Sequence, residues 1–500
     1  MGIVQRQGIK GTIVSYIGAI LGAITILFVY PYCMNTEEIG LFRLILDSAI
    51  FFGLLSLLGS GFGIAYFYPY YQNDEKRYNQ FISFILLISF SGLLITIATF
   101  IFGKPLIIKM YEKNSPALIK YIYILIPIIF LNNIFSLIES HAQNLYRIVV
   151  HKFAREVVLR IVIIVLLFLF YFKILSFEQI IWTYIGALFI ITISVLIYLI
   201  TLSPYRFKLS FDFSVVNNKI EIVKYSLFVT LGIVGTVLSN RLDSFILSST
   251  EHGLGKNGVY TTIVFMVMMI DLPIRTFLSI SIPVVNEAIK NNDMDKIETL
   301  YKKSSIYLTV IAFIIFALLW CNIDSLFLIM PKGNQFVIAK YVLLILGISK
   351  IMDASTSINV HILSYSKYYK YSLVLSLILG ALTIITAYIL IPNFGLEGAA
   401  FATALSMACF QILQTTFVYT KFKKHPFSID TFKVFLSFSL LIFIVYFLPN
   451  TQPVVTIIYK SLLIFIVSYL LIIKMKISKL VYDEIQSTVS IKIPSLAKFL

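Results

Sequence analysis

Charge is what this chain has least of. Only 13% of its 500 residues are Asp, Glu, Lys or Arg, against about a quarter in soluble domains. Cysteine is nearly missing too. Cys33, Cys321 and Cys409 each lie within or at the end of an apolar run, with no C-x-x-C spacing, so neither a disulfide framework nor a thiolate metal site is implied. The P-loop is missing, which disfavours an ATP-driven pump, and no H-E-x-x-H or Cys/His cluster points to a metal. Histidine is scattered, and only His361 falls inside an apolar run. Long loops are absent as well: the largest, 203–221 and 284–303, cannot house a soluble catalytic domain. No cofactor is called for, and an enzyme is not expected. The first apolar run has no small-residue cleavage signal after it, so it reads as an uncleaved span. Arg6 stands where a myristoylation signal needs Ser or Thr.

What is present is hydrocarbon, 59% of the chain. Apolar runs long enough for about 30 Å of bilayer core recur from end to end. Fourteen are expected, from 12–33 through 153–172, 222–249, 258–283, 336–364, 371–392 and 396–420 to 453–473. All must be helices, because open backbone cannot be satisfied in lipid. The expected fold is therefore an all-α polytopic membrane protein.

Loop charge orients it. Arg6 and Lys10, Lys76 and Arg77, Arg147, Lys152 and Arg155, and their successors in every second loop total 24 basic residues. The alternate loops hold only Lys104, Lys109, Lys113, Lys173, Lys256 and Lys332. The positive-inside rule then puts both termini in the cytoplasm. The net charge of +16 belongs to these loops rather than to a nucleic-acid surface. The tail 474–500 has basic and apolar residues at helical spacing, which suits either an amphipathic helix on the inner leaflet or a solvated tail.

Traces of a repeat lie about 210 residues apart. The first span leads through EEIGLF (Glu37–Phe42) into a second that ends YFYP (Tyr66–Pro69). The seventh leads through GLGKNGVY (Gly253–Tyr260) into an eighth that ends SISIP (Ser279–Pro283). A parallel repeat of this kind is known among transporters. It divides the chain into a six-helix lobe over 1–202, a second over 203–420, two further helices over 421–473, and the tail.

Charges inside the spans are costly, about 2.5–3.5 kcal/mol each on insertion scales, and usually face a bundle interior or a wet cavity. Arg43 with Asp47, and Asp271 with Arg275, are spaced i,i+4, which puts each pair on one helix face. The bland alternative for Asp271 and Arg275 is a self-neutralised intrahelical pair. Arg241 and Asp243, two apart, are each expected to find a partner on another helix. Lys350 and Asp353 form an i,i+3 pair at mid-depth. Pro127 and Pro273 free backbone carbonyls and are expected to bend their helices. Pro273 lies between Asp271 and Arg275, so bending there re-aims both. The glycine patches 57–63 and 395–406 read as close helix packing.

These motifs carry a resemblance. The basic N-terminus and first span, EEIGLFR, GSGFG, SNRLDSFILSS, GVY and NFGLEGAAFATALS together resemble the Wzx-type polysaccharide flippases of the multidrug/oligosaccharidyl-lipid/polysaccharide (MOP) exporter superfamily, over nearly the whole chain. The resemblance implies two six-helix lobes around a cavity that alternates between inward- and outward-open states. The implied cargo is a polyprenyl-diphosphate-linked oligosaccharide, crossing the bacterial inner membrane during polysaccharide or lipopolysaccharide biosynthesis. Arg43, Arg241, Arg275 and Lys350 would meet the diphosphate and sugars, since guanidinium pairs phosphate bidentately. Asp47, Asp243, Asp271 or Asp353 would carry a coupling proton or sodium ion. Membrane lipids, a polysaccharide polymerase and glycosyltransferases are the implied partners. A multidrug antiporter, a lipid II flippase, a lipid-linked sugar polymerase and a glycosyltransferase scaffold stay open as alternatives.

Overall fold

Asn35 and Glu38 start the element on which the N-terminal half is arranged. The Glu38 amide donates to Asn35 Oδ1 at 2.8 Å and the Asn35 amide donates to Glu38 Oε2 at 2.9 Å, a capping box. It opens the helix Thr36–Ser56. In the computed structural model, which describes residues 3–474 other than 204, 206, 207 and 217, every element is helical and no strand occurs among the described residues. The expected tail over 474–500 lies almost wholly outside the described residues.

Numbered in chain order, the main helices of the N-terminal half are α1 Ile3–Ile24, α2 Thr36–Ser56, α3 Ser60–Tyr71, α4 Glu75–Tyr111, α5 Leu125–Asn144, α6 Leu159–Tyr171, α7 Phe177–Leu202 and α8 Lys219–Ser249. Then come α9 Gly253–Met268, α10 Asp271–Lys290, α11 Met294–Trp320, α12 Ile323–Ile329, α13 Lys340–Thr356 and α14 Asn359–Tyr365. The chain closes with α15 Tyr369–Phe422, α16 Ile429–Tyr446 and α17 Pro453–Tyr469. The chain divides into two compact units, Met1–Thr261 and Thr262–Leu500. Packing thus groups α8 with the N-terminal unit, whereas the sequence repeat starts a second lobe at residue 203.

Among the described residues eleven helices are long and apolar enough to cross a membrane, twelve if α9 and α10 count as one bent span. This is a multi-pass membrane fold. The measure falls short of fourteen for physical reasons. The expected runs 371–392 and 396–420 lie in the single element α15, whose turn of direction is one residue, Gly395, at φ 56° and ψ −123°. The expected run 153–172 is a π-turn, Ala154–Val158, followed by the 13-residue α6, and it carries Arg155, Glu156 and Arg160. Large apolar side chains stand exposed along the spans, among them Phe102, Tyr388 and Phe432. On a soluble protein such surface would invite association; here it faces lipid.

The glycine patch in span two does more than pack. Leu58 and Gly59 both take positive φ, 47° and 73°, and separate α2 from α3. A Cβ on Gly59 would stand 2.0 Å from the Ser226 carbonyl oxygen, so α8 passes directly over the break. Span eight is broken as well, by 44° between α9 and α10.

Candidate functional site

The two repeat motifs meet each other. A Cβ on Gly40, in EEIGLF, would lie 1.8 Å from the Leu254 carbonyl oxygen, and one on Gly258, in GLGKNGVY, 2.1 Å from that of Thr36. Only glycine permits such backbone approach. Asn257 Nδ2 bridges the crossing by donating to the Gly40 carbonyl at 3.2 Å. This contact sets the positions of the charges that follow on each helix.

In the N-terminal unit Asp47, on α2, is buried and accepts a hydrogen bond from Arg241 Nη1 on α8. The i,i+4 spacing had put Arg43 beside Asp47, but the ion pair crosses between helices instead. Arg43 makes no ion pair among the described residues, and its Nε is buried without a hydrogen-bond partner. Asp243, buried on α8, accepts from the Tyr260 hydroxyl of α9 at 2.6 Å. Arg241 and Asp243 therefore do find partners on separate helices, α2 and α9.

The C-terminal unit repeats the substitution of partners. Lys350 Nζ on α13 donates to Asp271 Oδ2 on α10 at 2.9 Å. Arg275 does not take Asp271; it is exposed and makes no ion pair or hydrogen bond among the described residues. Neither the self-neutralised pair Asp271–Arg275 nor the pair Lys350–Asp353 forms. Asp353 instead accepts from Gln411 Nε2 of α15, and Gln411 Oε1 accepts from Thr356 Oγ1 at 2.7 Å. A half-buried lysine within a membrane span is costly to desolvate unless a close carboxylate and good geometry offset it. Lys350 and Asp271 meet that condition for each other.

Pro273 lies where it can shape the bend, though not inside a helix as expected. It is the third residue of α10, and the break sits just ahead of it at Met269 and Ile270. Its missing N–H would have bonded the Met269 carbonyl, four residues back. Instead the Met269 and Ile270 amides turn back to Met266 and Val267 in short i→i−3 bonds of 3.2 and 3.0 Å. Pro127 likewise falls in the first turn of α5, where an unbonded amide is normal, so it does not kink that helix.

Tyr260 and Gln411 were not singled out from the sequence. Tyr260 lay within reach of inference, because GVY is one of the repeat motifs. Gln411 carries no such signal.

No family model matches this chain, and no curated protein is found to be similar. Solved structures are. The lipid II flippase MurJ in an inward-closed conformation aligns over 93% of this chain and 99% of its own, at 16% identity and a TM-score of 0.74. An inward-facing MATE multidrug-resistance transporter of the MOP superfamily aligns over 82% and 94%, at 15% identity and 0.58. A MOP-superfamily transporter from Pyrococcus furiosus, described by the reversed polarity of its binding pocket, aligns over 84% and 95%, at 16% and 0.55. The chain shares the polytopic helical fold of these transporters. At these identities the likeness speaks for the fold alone.

Proposed function

We propose that the chain is a flippase that carries a polyprenyl-diphosphate-linked oligosaccharide from the cytoplasmic to the outer leaflet of the bacterial inner membrane by alternating access. One observation carries this reading. Arg43 and Arg275 hold guanidinium donors without an acceptor among the described residues, whereas Asp47, Asp243, Asp271 and Asp353 are each already engaged. Spare donors in a membrane interior suit an anionic cargo, and the diphosphate offers the bidentate oxygens that arginine recognises. A multidrug antiporter for organic cations would need the opposite, free carboxylates. Arg241 and Lys350 would join the cargo contacts as their acids change partners. Asp243 and Asp353, held by neutral Tyr260 and Gln411, are the better candidates for a coupling proton or sodium ion. Both termini would lie in the cytoplasm, and the chemistry would belong to partner polymerases and glycosyltransferases rather than to this chain.

A second reading, lipid II as cargo, is favoured by the fold's agreement with the lipid II flippase. It uses the same cationic contacts. The test is a knockout strain assayed for lipid-linked glycan on the inner leaflet and complemented with wild type or Arg275→Ala. Accumulation of a non-peptidoglycan lipid-linked glycan, cleared by wild type alone, supports the proposal. Accumulated lipid II moves the protein to the second reading. Sensitivity to cationic drugs without accumulated glycan overturns both.

A further inference from the structure

The N-terminal unit also holds a cavity whose lining includes none of these charges. It occupies about 410 Å³ between α4 and α5. Leu86, Phe90 and Leu93 of α4 face Phe130, Ile134 and Leu137 of α5 across it. Three of its four polar walls are already engaged: Ser83 accepts from the Ser210 amide at 3.0 Å, the Ser210 hydroxyl donates to the Asp212 carbonyl at 3.2 Å, and Asn133 is bonded to Ser56. The cavity is open to the lipid side, where Leu87 and Phe90 are exposed.

One end is closed by a strap, residues 208–216, tied to the first turns of α4. The Lys208 amide donates to Asn79 Oδ1 at 3.0 Å, the Val215 amide to Gln80 Oε1 at 3.0 Å, and Gln80 Nε2 to Asp212 Oδ2 at 3.1 Å. Held this way, the strap presents Leu209 and Phe211, 58% and 78% exposed, at the rim of the cavity. Two large apolar side chains displayed beside an apolar opening fit insertion among lipid chains.

We propose that this cavity binds one acyl chain of a zwitterionic phospholipid from the leaflet on the strap side. Depth supports the choice of chain. The α4 lining runs from Ser83 to Leu93, about 15 Å at the helical rise, which is half of a bilayer core of about 30 Å. A phospholipid chain ends at that depth; a long polyprenyl chain would overrun it. Charge supports the choice of headgroup. Exposed Lys76, Arg77 and Lys208 stand at the strap end together with Glu75, 3.9 Å from Lys208 Nζ, and Asp212. The Ser214 amide and hydroxyl, donating to Asp212, hold its carboxyl below the usual range, so it stays anionic. Cations and anions interleaved suit a phosphate carrying an amine, whereas a diphosphate would meet the acids.

The loop charges place the strap on the cytoplasmic side, but the lipid site does not depend on what the protein transports. The test uses the full-length protein reconstituted in nanodiscs of equal phosphatidylethanolamine and phosphatidylglycerol, released and weighed by native mass spectrometry. Wild type should retain one phosphatidylethanolamine per chain. Ser89→Leu, which fills the cavity, and Leu209→Asp, which charges an exposed rim position without touching the core, should each lower retention about tenfold, equivalent to about 1.4 kcal/mol. Ile95→Ala, on lipid-facing surface outside the cavity, should leave it unchanged. No retained lipid, preference for phosphatidylglycerol, a co-purified polyprenyl phosphate in its place, or equal retention by wild type and both variants would each overturn the proposal.

Discussion

Lys350 and Asp271 face each other across two helices at 2.9 Å, with little of either side chain exposed. The carboxylate that helical spacing assigns to Arg275 is thereby occupied from a position 79 residues away. Removing one partner leaves a charge stranded in a membrane interior, which costs about 3–5 kcal/mol in comparable buried pairs. Lys350→Met and Asp271→Asn should each lower the thermal midpoint of the purified protein. The double variant should recover part of the loss, because it strands nothing. Additive losses in that double-mutant cycle would mean that the pair is not coupled.

Arg275 itself should behave in the opposite way. It is exposed and holds no acid, so Arg275→Ala should leave stability within about 0.5 kcal/mol of wild type. Transport should nevertheless fall, by one to two orders of magnitude if one charge-assisted hydrogen bond of about 1.5–3 kcal/mol is lost. Arg275→Lys should recover only part, since an ammonium cannot reproduce the bidentate fork. A flux assay in proteoliposomes with a lipid-diphosphate substrate, run beside melting curves, separates the two effects. Full activity in Arg275→Ala would remove this residue from the cargo path.

The crossing of α2 and α9 gives a cleaner structural test. With backbone atoms 1.8 Å from the ideal Cβ position, Gly40→Ala forces the two helices apart. Overpacking of this kind costs about 1–3 kcal/mol. Gly103→Ala, within α4 and with nothing within 4 Å of its added Cβ, should be neutral or stabilising by up to about 1 kcal/mol through helix propensity. The measurement is the difference in thermal midpoint between the two alanine variants. Equal midpoints would mean that the Gly40–Gly258 crossing tolerates separation.

Features set by local chemistry could be read from the sequence, and features set by distant partners could not. The capping box of Asn35 and Glu38 is a four-residue pattern. The glycine patches 57–63 and 395–406 announced close helix approach without saying to what, and the approach at Gly40 and Gly258 was not announced at all. Membrane character follows from composition, because 500 residues with so few charges have no other solvent. The ion pairs behaved differently. Asp47 and Arg241 are separated by 194 positions, and an i,i+4 neighbour looked like the better partner for each acid. Helical spacing sets which face a charge occupies, while tertiary packing decides what that face meets. Both expected i,i+4 pairs gave way to a cation from a second helix, Arg241 for Asp47 and Lys350 for Asp271, and the i,i+3 pair gave way to a neutral amide, Gln411 for Asp353.

Pro273 joins these relationships to motion. Its ring removes the donor that would close the turn on the Met269 carbonyl, and α9 and α10 part by 44° immediately before it. Asp271 is the first residue past the break, and the Lys350 contact hangs from it. Straightening the junction should therefore move Asp271 relative to α13. In Pro273→Ala an amide becomes available to Met269 and the continuous helix gains about 3 kcal/mol of relative favour. The expected result is normal expression and folding with slowed turnover, and a longer distance between spin labels at the two ends of the α9–α10 pair. Slowed turnover with no change in that distance would assign the effect to something other than the bend. Unchanged turnover at normal expression would show that the break does not take part in transport.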